Sequence, residues 1–129
     1  MTQAIVPLND LIPLIIEWGA QRGLHETTDL KPQLVKLTEE LGEIAAGVAR
    51  GDDERIHDGV GDLLVVLIQF GVIHGSLYRP KITTAYLENC LNLAWCEIHA
   101  RTGETKDGVF VRDCNCNGEG CCSSSSQLG

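Results

Sequence analysis

Three glutamates fall within five positions of the stretch "KLTEELGEIAAG", residues 36–47: Glu39, Glu40 and Glu43. Downstream the chain reads "DGVGDLLVVLIQF", with Asp58 and Asp62 four positions apart. On helices each set edges one face, because residues three and four apart are neighbours there. Crowded carboxylates beside apolar surface either take up protons or gather cations. Oxygen donors without His or Cys favour Mg²⁺ or Mn²⁺, and Mg²⁺ keeps positions open for substrate phosphates. A lone glutamate pair on a helix is ordinarily a solvated stripe. This set differs because it flanks core positions and is interleaved with Gly42, Gly59 and Gly61. Glycine inside a helix costs about 0.5–1 kcal/mol relative to alanine, so the three point to close packing or ligand approach.

The positions along the chain bring the two sets to one level. If the segments form an antiparallel helix pair turning at Gly51, Glu40 lies level with Asp62, and Glu43 with Asp58. All four then sit roughly 10–17 Å from the turn at about 1.5 Å rise per residue. Two like charges about 6 Å apart repel by about 3 kcal/mol at an effective dielectric near 20. Cations between them remove that cost.

Four helices are expected to carry these residues. The first follows Asn9 as N-cap, with Pro13 in its opening turn and Leu11, Leu14, Ile15 and Trp18 on one apolar face. Gly23 stops it. The second starts near Thr28 or Asp29 and carries Leu34, Leu37, Leu41, Ile44 and Val48 as a core stripe, ending at Gly51. Asp52 or Asp53 caps the third, which runs to about Gly75 and is apolar on nearly all sides, as a buried or interface helix is. After Arg79-Pro80 the stretch "TTAYLENCLNLAWCEIHAR" forms the fourth, with Cys90, Cys96 and Trp95 read as interior residues. Only "GVFVR", residues 108–112, reads as a short extended segment, after a turn at "TGETKDG". The expected fold class is all-α, a four-helix bundle with short connections. Residues 1–112 form the domain. Residues 113–129, with "CNCNGEGCC" and "SSSSQLG", form a Cys/Gly/Ser-rich tail whose composition fits disorder.

The totals narrow the function. A length of 129 residues suits one domain, with 43% hydrophobic residues for a core. The net charge of −8 lacks the basic face that a nucleic-acid backbone requires. An acidic chain binds polyphosphate through intervening metal cations. No basic start leads into a long apolar run, and "LLVVLIQFGVI" is short for a bilayer and interrupted by Gln69. A cytoplasmic protein that engages neither membrane nor nucleic acid is expected, and the apolar third helix points to a homodimer or homotetramer.

The stretch "KLTEELGEIAAGVARGD…HDGVGDLLVVLIQF" resembles the MazG-like branch of the all-α NTP pyrophosphohydrolases, whose pattern is EExxE followed by (E/D)xxD. Glu39, Glu40 and Glu43 match the first half. The second half departs: Gly59 stands three residues before Asp62 and the acid is one step earlier, at Asp58, a shift that some short members share. The resemblance runs over residues 9–112, through "EWGAQRGL" and the closing "AWCEIHARTGETKDGVFVR". It implies a MazG-like bundle that hydrolyses a (deoxy)nucleoside triphosphate to the monophosphate and pyrophosphate with Mg²⁺ or Mn²⁺. Glu40, Glu43, Asp62 and Asp58 are the implied ligands, and Glu39 is either a further ligand or the base that takes the water's proton. Compact phage-encoded relatives of the MazZ type act on guanine deoxynucleotides, which makes dGTP or GTP a candidate substrate.

Supporting residues follow from position and resemblance together. Lys36, one turn before Glu40, reaches either a phosphate or Glu40 itself. Arg101 and Lys106 flank the "TGET" turn in a region where relatives carry basic residues. Cys96 and His99 stand where relatives often have Asn and Lys. Trp18, beside "AQRGL", is the candidate for stacking on a base. The unpaired Glu54-x-x-His57 motif falls short of the two such pairs that a di-iron bundle needs, and His57 is expected at the surface. Two other readings remain: a phosphoribosyl-ATP pyrophosphohydrolase, and a non-catalytic helical module for metal binding or oligomerisation.

Overall fold

The computed structural model describes residues 5–77 and 84–113, so the tail from 114 lies outside the described residues. Among the described residues are four helices and one hairpin: α1 Leu8–Gln21, α2 Lys31–Arg50, α3 Asp53–Ser76, α4 Ala85–Ile98, β1 Gly103–Lys106 and β2 Val109–Arg112. The chain divides within α4 into two compact units, Met1–Leu87 and Glu88–Gly129.

In the first unit, α2 and α3 form an antiparallel hairpin around two residues. Gly51 adopts the left-handed conformation, φ 66°, and closes α2 by donating its N–H to the Val48 carbonyl. Asp52 then caps α3, its side chain accepting from the Arg55 N–H at 3.1 Å. Two glycines let the rods approach. A Cβ on Gly47 would lie 2.9 Å from Ile56 Cγ1, and one on Gly59 would lie 2.8 Å from Ile44 Cγ1. Both pairs are symmetric about the Gly51–Asp52 turn, so the register is within about one residue of that expected from the sequence.

The core lies between α1 and α3. Ile16, Ile68 and Val72 are buried together, with Ile12, Ile15 and Leu87 packed against them. Gln69 is 1% exposed in the middle of the apolar helix. Its amide donates to the Ile15 carbonyl at 2.8 Å and its oxygen meets His25 Nε2 at 2.5 Å. That pair holds the loop after α1 onto α3. By length and composition α3 is also apolar enough to cross a bilayer, a property it shares with core helices of soluble proteins.

The proposed core stripe of α2 is only half inside. Leu37 and Ile44 are half-buried toward α3, whereas Leu34, Leu41 and Val48 are exposed. Those three, seven residues apart, follow a line that the described residues leave exposed.

From Glu88 on, in the second unit, α4 buries no residue. Trp95 is 59% exposed and stacked on His99, Cys90 is exposed, and Cys96 is half-buried. The interior placement expected for Trp95 and Cys90 therefore does not hold. β1 and β2 pair antiparallel, Gly103 opposite Arg112 and Lys106 opposite Val109. The turn between them has positive φ at Asp107 (50°) and Gly108 (78°), the combination that suits a two-residue hairpin loop. The sequence reading found β2 but took β1 for part of the turn.

Candidate functional site

The face of α2 toward α3 runs through Gln33, Leu37, Glu40, Ile44 and Gly47, and the facing line of α3 runs through Ile56, Gly59, Leu63 and Val66. Successive residues on a helix turn by about 100°. Antiparallel rods turn in opposite senses when viewed from one end. The residue before each contact residue therefore falls on the same flank of the hairpin for both helices. On α2 these are Pro32, Lys36, Glu39, Glu43 and Ala46; on α3 they are Arg55, Asp58, Asp62 and Val65. Their level matches too, since the Gly59 position lies against Ile44 and 3.6 Å from the Glu40 carbonyl. One flank of the hairpin thus collects Glu39, Glu43, Asp58 and Asp62, beside Glu40 on the contact line.

Glu40 differs from the others. It sits on the contact line and is 6% exposed, while Glu39, Glu43, Asp58 and Asp62 are exposed. A buried carboxylate needs a compensating partner, and Lys36 supplies it. The Lys36 ammonium lies 2.8 Å from Glu39 and 3.0 Å from Glu40. Hydrogen bonds to Glu39 first and Glu40 second raise the lysine pKa above its ordinary value. Both roles weighed for Lys36 concern this point: it is paired with Glu40, and its amine is the cation that the acids now hold.

Among the described residues, no three His, Cys, Asp or Glu side chains are gathered closely enough to hold a metal ion. The donor chemistry nonetheless suits a hard cation: all-oxygen donors, one flank, and a buried glutamate already neutralised by a positive charge. Glu40, Glu43, Asp58 and Asp62 are the residues that would hold it.

Glycine enters this site differently from the sequence expectation. Gly59 is where the rods touch, but Gly42 and Gly61 have nothing within 4 Å of the space a Cβ would fill. Close packing among the described residues does not account for those two.

The remaining predicted residues are dispersed. Trp18, on α1, is 44% exposed, with the Arg22 guanidinium 4.4 Å from its ring centroid. One ring face is therefore already covered by a cation. Arg101 and Lys106 belong to the second unit, where they pair with Glu97 at 3.5 Å and Glu104 at 2.8 Å. His57 is exposed, as expected. The sequence reading missed the His25–Gln69 pair; the only signal was an amide inside a run of aliphatic residues.

No family model matches the chain, and no solved structure matches it. A stretch of 61 residues is 39% identical to an uncharacterized 18.2 kDa protein in the rep-hol intergenic region of Haemophilus phage HP1. That stretch is 47% of this chain and 37% of the phage protein, so the match spans well under half of that relative's length.

Proposed function

We propose that the chain is a divalent-metal-dependent pyrophosphohydrolase of (deoxy)nucleoside triphosphates, with the carboxylate flank of the α2–α3 hairpin as its centre. The observation that carries the reading is the collection of Glu39, Glu43, Asp58 and Asp62 on one side of the buried Glu40. The resemblance to the MazG-like pattern at those same positions supports it.

Mg²⁺ or Mn²⁺, when bound, would neutralise the triphosphate and lower the pKa of a water. Glu40, Glu43, Asp58 and Asp62 are its ligands in this reading. Glu39, exposed beside them, accepts the proton as the water oxygen attacks the α-phosphorus. The bond from that phosphorus to the bridging oxygen breaks, and pyrophosphate leaves. Lys36 then turns from the carboxylates to the phosphates, which carry more charge than the two glutamates it now pairs. Trp18 offers the base the ring face that Arg22 leaves open. Guanine nucleotides, dGTP or GTP, are the candidate substrate that the resemblance to compact phage-encoded relatives suggests, in a cytoplasmic homo-oligomer.

A non-catalytic helical module is the second reading. It draws on the absence, among the described residues, of three gathered metal donors. The two are separated by incubating the full chain with each of the common NTPs and dNTPs, dGTP and GTP included, and phosphoribosyl-ATP, under Mg²⁺ and Mn²⁺. Pyrophosphate release that is lost in Glu43→Gln and Asp62→Asn establishes the enzyme. No release from any of them removes it.

A further inference from the structure

Glu40 has a need that the other acids of the flank do not share. Its side chain is 8% exposed, and a carboxylate so nearly out of water requires a cation against it at all times. Lys36 meets that need from a loose position. Its ammonium lies 3.0 Å from Glu40 Oε1 and 2.8 Å from Glu39 Oε2, yet the lysine is 52% exposed and Glu39 55%. Ion pairs in so wet a setting are weak. The order along α2 is also the weaker one, since an acid N-terminal to its lysine supports a helix better than the reverse. Helix stability is therefore a poor reason for the placement. The need for a cation is permanent, and the residue that meets it is easily moved.

We propose that Lys36 is a built-in occupant of the cation position, holding Glu40 while the site lacks metal and displaced when a divalent cation takes its carboxylates. The inference rests on the carboxylate flank as the metal centre of the reading above, but not on which nucleotide is cut. Glu40 only accepts, and an ammonium left against it would face a doubly charged neighbour of like sign with little water between them. One cation stays and the other leaves. Leaving is simple for Lys36, whose flexible stem already lies half in solvent. The lysine is thus a brake on metal uptake, because two charge-assisted contacts must break first. Among the described residues no ion pair reaches Glu43, Asp58 or Asp62, so the brake acts through Glu39 and Glu40 alone.

The test is Mn²⁺ binding to the full chain without nucleotide, by calorimetry and by electron paramagnetic resonance of the free ion. It is run at about pH 7.5, where lysine and exposed carboxylates are all charged. Lys36→Met keeps the aliphatic stem and removes the competitor, and is expected to lower the dissociation constant at least about ten-fold. Lys36→Arg keeps a cation with a firmer grip on carboxylates, and is expected to bind Mn²⁺ no more tightly than native protein. Lys31→Met removes the same charge from the same helix away from both acids, and is expected to change affinity less than about two-fold. An unchanged or weaker affinity in Lys36→Met overturns the proposal, as does an equal gain in Lys36→Arg or Lys31→Met. Native protein that binds Mn²⁺ and loses it in Glu43→Gln keeps the metal centre in place even then, so the two ideas fail separately. No uptake by native protein or by Lys36→Met also overturns the proposal, and pyrophosphate release then decides whether the hydrolase reading falls with it. Should Lys36→Met lose its helical circular dichroism, the lysine is followed directly by NMR of its ammonium nitrogen, assigned by its absence in Lys36→Arg. Saturating Mg²⁺ is expected to move that resonance to the position of a solvated lysine; a resonance that stays in place refutes displacement.

Discussion

Alanine in place of glycine should have opposite effects at three helical positions, and the contrast tests the packing directly. At Gly19 the new Cβ would lie 2.7 Å from Gln69 Cδ and 2.8 Å from Nε2, with Oε1 nearer still. A long side chain ordinarily swings away from such a contact. Gln69 is 1% exposed and held at both ends, by the Ile15 carbonyl and by His25. Moving it breaks two hydrogen bonds worth about 1 kcal/mol each, and leaves a buried amide unpaired at a further 1–3 kcal/mol or so. His25 Nδ1 is already buried without a partner, so the ring has no second bond to fall back on. Alanine's better helix propensity returns about 1 kcal/mol. The net expectation for Gly19→Ala is a loss of roughly 2–4 kcal/mol, or a melting temperature lower by about 10–20 °C for a domain of this size. At Gly42 and Gly61 no atom of the described residues outside the local helix stands within 4 Å of the added Cβ. There the same substitution should stabilise by up to about 1 kcal/mol each. The assay is thermal and urea unfolding followed by circular dichroism, at one fixed protein concentration because assembly couples to stability. A neutral Gly19→Ala would refute the description of Gln69 as a clamped side chain. A destabilising Gly42→Ala or Gly61→Ala would mean that another molecule packs against those helix faces.

Two further expectations are local. Asp52→Ala removes the side chain that accepts from the Arg55 N–H, and should cost about 1 kcal/mol, read by urea unfolding, with Asp52→Asn restoring most of it. Lys36→Met tests the ammonium on Glu39 and Glu40. A lysine whose folded pKa is raised contributes stability that is complete below its ordinary pKa and is lost only as pH climbs through the raised value. The stability difference between native protein and Lys36→Met should therefore be constant from about pH 6 to about pH 9 and shrink only above about pH 10.5; a difference that shrinks between about pH 6 and about pH 9 would refute the pairing.

How far the sequence carried depended on whether a signal was local. The hairpin of α2 and α3 was legible because its stop, Gly51, and its cap, Asp52, act within one turn of themselves. Its register followed, and with it the common level of the carboxylates. Periodicity alone could not say which molecule covers a face. Leu34, Leu37, Leu41, Ile44 and Val48 repeat as a stripe whether the opposing surface is α3 or another chain, and only Leu37 and Ile44 turn to α3. Glycine was ambiguous for the same reason. Gly59 and Gly42 read alike in the sequence, yet one is a contact and the other is open. Trp95 and Cys90 were assigned to the interior by residue type, and α4 buries none of its residues. β1 was lost because "GETK" has a single β-branched residue and was taken into the "TGETKDG" turn, of which only Asp107-Gly108 forms the hairpin loop.

The two faces of the hairpin share one cause. Gly47 and Gly59 fix the contact line, and a helix turns about 100° per residue, so whatever precedes that line goes to one flank and whatever follows goes to the other. Glu39, Glu43, Asp58 and Asp62 stand at preceding positions, and Leu34, Leu41, Val48, Val60, Leu64 and Leu67 at following ones. A Cβ at Gly59 would press on Ile44 Cγ1 at 2.8 Å and on the Ile44 N–H at 3.4 Å, close enough to push the rods apart or rotate one of them. Rotation by a single residue would carry Glu43 into the interface and withdraw Leu41 from the opposite flank. The carboxylate set and the exposed aliphatic flank would then be disturbed together, although no atom of either had been changed. The glycines at the contact, rather than any one acid, are what the geometry of both surfaces depends on.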